Sequence, residues 1–141
     1  MYLRACKQEP SSTTWLGAGI ACMRLNELDD AEEALCEANI LNNSAAIVWG
    51  YLTLVCLLSS PEGNRQQEAD QAFEQAVRNN INDVNLLVEI GNAYCKSASY
   101  KSAERVFQRA LAVGGKEEEH VEVKKSYDHM LRLLGRSEEV I

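Results

Sequence analysis

Breakers of regular structure are scarce in this chain: its 141 residues include 2 prolines and 8 glycines. That excludes an all-β domain built on many tight turns and leaves room for long helices. No run of 18 apolar residues occurs, so no membrane-crossing helix is expected. No basic start leading into an apolar core marks a secretory signal either. A basic surface is lacking too. Lys and Arg number 14 against 21 Asp and Glu, a net charge of −7, and the densest basic stretch, Lys124–Lys125, stands beside the acidic run Glu117–Glu119. Nucleic acid and membrane are therefore not expected as partners. Solvated helix faces account for the acidic balance, with a basic partner protein as the alternative.

Catalytic patterns are missing as well. Gly17-Ala18-Gly19 falls inside a predicted helix and makes no phosphate loop, and there is no G-x-S-x-G, H-E-x-x-H or EF-hand pattern. The cysteines, Cys6, Cys22, Cys36, Cys56 and Cys95, are odd in number and show no C-x-x-C spacing, while His120 and His129 have no cysteine nearby. Free thiols in a reducing, cytoplasmic compartment are expected, with no metal and no cofactor. Asp29, Asp30, Glu32 and Glu33 suit the start of a helix better than a cation site, because acidic groups are favoured there. The chain reads as a non-enzyme. A cysteine-dependent enzyme or redox sensor, using His120 or His129, is the alternative of another class.

What is present is a repeat. Trp15 and Trp49 lie 34 residues apart. After Trp15, Gly19 and Cys22 follow at four and seven residues, then Ala31, Leu35 and Ala38 at sixteen, twenty and twenty-three. From Leu87, the residues Gly91, Tyr94, Ala103, Phe107 and Ala110 occupy the same offsets. From Trp49, Thr53 and Cys56 keep the offsets, but Ala69, Phe73 and Ala76 arrive four residues late, after the turn-forming stretch Ser59–Arg65. Eleven residues separate Ala38 from Trp49, Ala76 from Leu87 and Ala110 from Val121, so the phase is kept.

This pattern resembles the tetratricopeptide repeat, a helix–turn–helix unit of about 34 residues. Thr53 departs from it where the family prefers Gly, and Cys22 and Cys56 where it prefers Tyr. Antiparallel helices cross at about 8–10 Å, so small residues must sit at the crossing and large ones fill the gaps between units. The expected packing residues are Trp15, Gly19, Ala31, Trp49, Ala69, Phe73, Gly91, Tyr94, Ala103 and Phe107. The implied fold is all-α: a right-handed α-solenoid of three tetratricopeptide repeats, with a partial N-terminal helix and a C-terminal capping helix. Residues 1–10 read as the tail of a preceding repeat helix, 11–45 as repeat one and 46–83 as repeat two with a short insertion at 59–65. Repeat three follows at 84–115, the capping helix at 116–135 and a tail at 136–141. Helices are predicted near 12–25, 29–41, 45–58, 64–79, 83–97, 100–113 and 116–134. In the last, Val123, Tyr127, Met130, Leu131 and Leu134 form an apolar stripe expected to pack on repeat three. Because the first residues look like the end of a repeat, the chain is expected to be a fragment of a longer protein.

Such arrays bind through a concave groove lined by the first helix of each pair. The resemblance places Leu16, Ile20, Met23, Leu54, Leu57, Val88 and Asn92 in that groove, apolar toward its start and polar toward Asn85, Asn92 and Lys96. The places where chaperone-binding members hold a terminal carboxylate carry Leu16, Ile20, Tyr51, Asn85 and Glu89, so no such clamp is expected. An apolar groove suits an amphipathic helix or an extended peptide. The alternatives are that a second copy of the chain or the missing part of the parent protein covers it, or that these side chains are core. The wording of residues 12–58 further resembles the repeats of a tetratricopeptide protein of motile axonemes. That resemblance implies a ciliary or flagellar scaffold acting near the outer dynein arm, with axonemal or dynein-arm components as partners.

Overall fold

The computed structural model describes residues 11–59, 65–113 and 117–139. Among them are seven helices and no strand: α1 (Ser12–Arg24), α2 (Leu28–Leu41), α3 (Ala46–Ser59), α4 (Gln66–Arg78), α5 (Val84–Lys96), α6 (Tyr100–Val113) and α7 (Glu117–Glu139). The helix ends agree with the periodicity to within two residues, except that α7 runs on past the expected 134. The partial helix expected over 1–10 lies outside the described residues, as do residues 60–64 of the insertion. The chain divides into two compact units, Met1–Ile81 and Asn82–Ile141.

In the first unit, α1 begins where Ser11 accepts a hydrogen bond from the Thr14 N–H at 3.1 Å, satisfying a donor that the helix start leaves orphaned. It ends in a turn through Asn26, whose φ of 62° this residue type tolerates. The chain then doubles back as α2. Gly19 is the crossing point: a Cβ there would sit 2.7 Å from Cγ and Cδ2 of Leu35. Ala31, Ala34, Leu35 and Ala38 are buried along α2. The Ser12 hydroxyl donates to the Ala38 carbonyl at 3.1 Å, fastening the open end of the hairpin.

Helix α2 packs on α3, which is apolar all round and buries every residue from Tyr51 to Leu57. Thr53, at the position equivalent to Gly19, is 0% exposed and hides its hydroxyl by donating to the Trp49 carbonyl at 2.9 Å. Ala69, Phe73 and Ala76 of α4 face inward despite their late arrival. The ends of the insertion are tied by Arg65. Its guanidinium donates to Ser59 Oγ at 2.8 Å, to Glu68 Oε2 at 2.8 and 3.1 Å, and to both carboxylate oxygens of Glu32 on α2.

In the second unit, Asp83 caps α5 by accepting from the Leu86 N–H at 3.1 Å. Gly91 repeats the part of Gly19, with Cε1 and Cζ of Phe107 only 2.6 Å from where a Cβ would be. Helix α7 packs on α6 and α5. Val123 and Met130 are fully buried, and Tyr127 sets its ring edge-on to Phe107 at 6.1 Å while donating its hydroxyl to Glu104 at 3.1 Å. Leu131 is a correction: it is exposed, because Met130 takes the inward place beside it. Leu134 lies outside the described side chains.

Candidate protein-interaction surface

The residues expected to line a groove separate into two sets. Met23, Leu54 and Leu57 are interior, at 5%, 2% and 4% exposure, and present almost no surface to a partner. In the first unit α1 touches α3 directly, so first-helix side chains also serve as helix–helix core. Leu16 and Ile20 are half-buried, and Leu58, one position beyond Leu57, is 37% exposed. In the second unit Val88 is half-buried and Asn92 exposed. The expected packing residues take the other role. Ala31, Ala69, Phe73, Tyr94, Ala103 and Phe107 are buried, Gly19 and Gly91 are the crossing points, and Trp15 packs on Ala18 and Ala34. Trp49 is half-buried and donates its indole N–H to the Asn43 carbonyl at 2.8 Å.

Each unit carries a surface hollow of about 370 Å³ among its described residues. One, in the first unit, is lined by Trp49, Glu68, Gln71, Ala72, Glu74 and Gln75. Its carboxylates are already engaged, Glu68 with Arg65 and Glu74 with Arg78 at 2.9 Å. The other, in the second unit, is lined by Asn92, Cys95 and Lys96 of α5 and by His129 and Leu133 of α7. His129 and Leu133 stand an i, i+4 step apart on a helix that the groove rule, which names only first helices, does not include.

No thiol among the described residues is poised as a nucleophile. Cys22 and Cys56 are buried, as expected of packing residues, Cys95 is half-buried, and Cys36 is exposed. Burial holds the Cys56 and Cys95 thiols up at about 11. Burial raises Cys22 and Cys36 too, helped by nearby carboxylates. Reactive cysteines need the opposite shift. Glu32, Cys56 and Glu68 bring donor atoms within 4.8 Å of one another. The Arg65 guanidinium bonded to both carboxylates supplies the positive charge there.

Comparison with known proteins agrees with this architecture. Residues 1–133 match the family described as Cilia and flagella-associated protein 70 C-terminal domain. The cilia- and flagella-associated protein 70 sequences of Homo sapiens and Macaca fascicularis are each 54% identical over 89 residues, which is 63% of this chain and 8% of theirs. The match thus spans under a tenth of the relatives' length. Among solved structures, the Arabidopsis OM64 TPR domain superposes with a TM-score of 0.63 at 20% identity, covering 84% of this chain and 93% of that one. MamA superposes with a TM-score of 0.69 at 18% identity, covering 95% and 75%. At such identities the likeness concerns the fold, an all-α solenoid of tetratricopeptide type.

Proposed function

The chain belongs to the cilia and flagella-associated protein 70 C-terminal domain family, and from that membership we propose that it is a non-catalytic scaffold of the ciliary or flagellar axoneme. It holds partner proteins, axonemal or dynein-arm components among them, on the first-helix faces of its repeats. The observation that carries this reading is the apolar surface left at Leu16, Ile20 and Leu58 in one unit and at Val88 in the other. In either unit taken by itself, an amphipathic helix carrying anchors at i, i+3, i+4 and i+7, or an extended apolar peptide, covers such side chains. A fully buried aliphatic anchor contributes about 1.5–3 kcal/mol before entropy costs, and half-buried ones correspondingly less. The raised thiols support a non-enzymatic role, because none of them is prepared for attack.

Recovery of proteins from ciliated cells tests the reading, with wild type compared against Leu16→Glu/Leu58→Glu. These two positions are accessible, whereas Glu at the buried Leu54 would unfold the unit. Selective loss of partners by a variant with unchanged helicity is expected, and equal recovery of every partner refutes groove binding. Self-association is the second reading, favoured by the exposed Ile40 and Leu41 at the end of α2. A dimer that persists in light scattering on dilution, and is lost in Ile40→Lys, would establish it.

A further inference from the structure

The hollow between α5 and α7 has a chemistry of its own. Lys96, His129 and the Asn92 amide present donors there, and none of the three makes a hydrogen bond or ion pair with another described residue. No carboxylate is among the described lining residues, which also include the less polar Cys95 and Leu133. The second unit is also the less acidic one: residues 82–141 carry 9 Lys and Arg against 10 Asp and Glu, whereas residues 1–81 carry 5 against 11. In the other hollow the carboxylates already have arginine partners. In this one the donors are unspent.

We propose that this hollow seats one carboxylate side chain, Asp or Glu, of a partner protein segment, held by Lys96, His129 and Asn92. The proposal deepens the groove reading and rests on it. Val88, Asn92 and Lys96 follow one another at i+4 steps on α5, so the seat lies about 12 Å along the helix from the Val88 surface. The partner therefore carries its acidic residue about two helical turns from an apolar anchor. Glu89 stands three residues before Asn92 on α5 and Asp128 next to His129 on α7, and the net charge of −7 repels extended polyanions. A single localised carboxylate is what the place admits. It is set apart from the clamp positions of chaperone-binding relatives, which here hold Leu16, Ile20, Tyr51, Asn85 and Glu89.

Cys95 is a reporter built into the seat. The chain is treated at pH 7 and low salt with a mixture of iodoacetate and iodoacetamide, and the carboxymethyl to carbamidomethyl ratio is read at each cysteine by mass spectrometry. A ratio several-fold higher at Cys95 than at Cys36, which sits beside Glu32 and Glu37, is expected. That excess should vanish in Lys96→Gln/His129→Gln and in high salt. A Cys95 ratio that the double substitution leaves unchanged overturns the proposal, whether or not a partner helix binds. In a second arm, a C-terminally amidated helical peptide has leucine anchors and a Glu eight residues beyond one of them, and is compared with its Gln twin. Binding several-fold tighter with Glu, with the preference lost in Lys96→Gln/His129→Gln, is the expected result. Equal binding of the twins that is weakened by Val88→Glu overturns the carboxylate seat and leaves the groove reading standing. Binding of neither peptide overturns both.

Discussion

Replacing Gly91 by alanine sets two effects of known size against each other. Alanine is the better helix former by about 1 kcal/mol, so in an open helix the change would stabilise. Here the new methyl would meet Cε1 and Cζ of Phe107 at 2.6 Å and Cδ1 at 3.0 Å. The ring has no free side to move toward: Phe107 is fully buried, and Tyr127 stands edge-on to it at 6.1 Å. Overpacking a closed site of this kind costs about 1–3 kcal/mol. The balance is a net destabilisation of about 1 kcal/mol, or about 3–5 °C in melting temperature for a chain of this size. Urea unfolding followed by circular dichroism measures it, together with Phe107→Leu and the double variant. Removing the ring edge should relieve the clash, giving a coupling of about 1 kcal/mol or more in the double-mutant cycle. A Gly91→Ala protein more stable than wild type, or a cycle additive within about 0.3 kcal/mol, would refute the close-crossing argument for this repeat.

Ala98 holds a φ of 59° in the α5–α6 turn, at the place equivalent to Asn26, so Ala98→Gly should stabilise by about 0.5–1 kcal/mol in the same urea assay; a loss of stability counts against strain there. Arg65→Gln should lower stability by about 1 kcal/mol, since the ion pair to Glu32 is only about a quarter to a third exposed. The loss should shrink in 0.5 M NaCl, and a loss insensitive to salt would mean that the charge plays no part. For Cys56 the folded thiol stands at about 11 against 9.0 for a free one, so folding favours its protonated form. That stability is fully present below pH 9 and is lost as pH rises through 11. Wild type should therefore weaken between pH 9 and 11 more steeply than Cys56→Ala, and parallel pH profiles would contradict the burial argument.

Helix content, hairpin order and the crossing residues were legible because they rest on local spacing. The sixteen-, twenty- and twenty-three-residue offsets put Ala31, Leu35 and Ala38 on the face that Gly19 meets, and the same holds for Ala103, Phe107 and Ala110 opposite Gly91. The delayed arrival of Ala69, Phe73 and Ala76 was readable for the same reason, since an insertion in a turn shifts the count without turning the helix. Exposure was not readable in this way. Met23, Leu54 and Leu57 differ little in type from Leu16, Ile20 and Leu58, yet the first three are sealed in and the others are not. How much of a side chain remains in water depends on which helices close over it, and one helix's periodicity carries no information about its neighbours' distances. The hollow of Asn92, Lys96 and His129 likewise joins residues more than thirty positions apart on α5 and α7. Periodicity places each of them on a face of its own helix, and only the packing of α7 against α5 and α6 brings the two faces together.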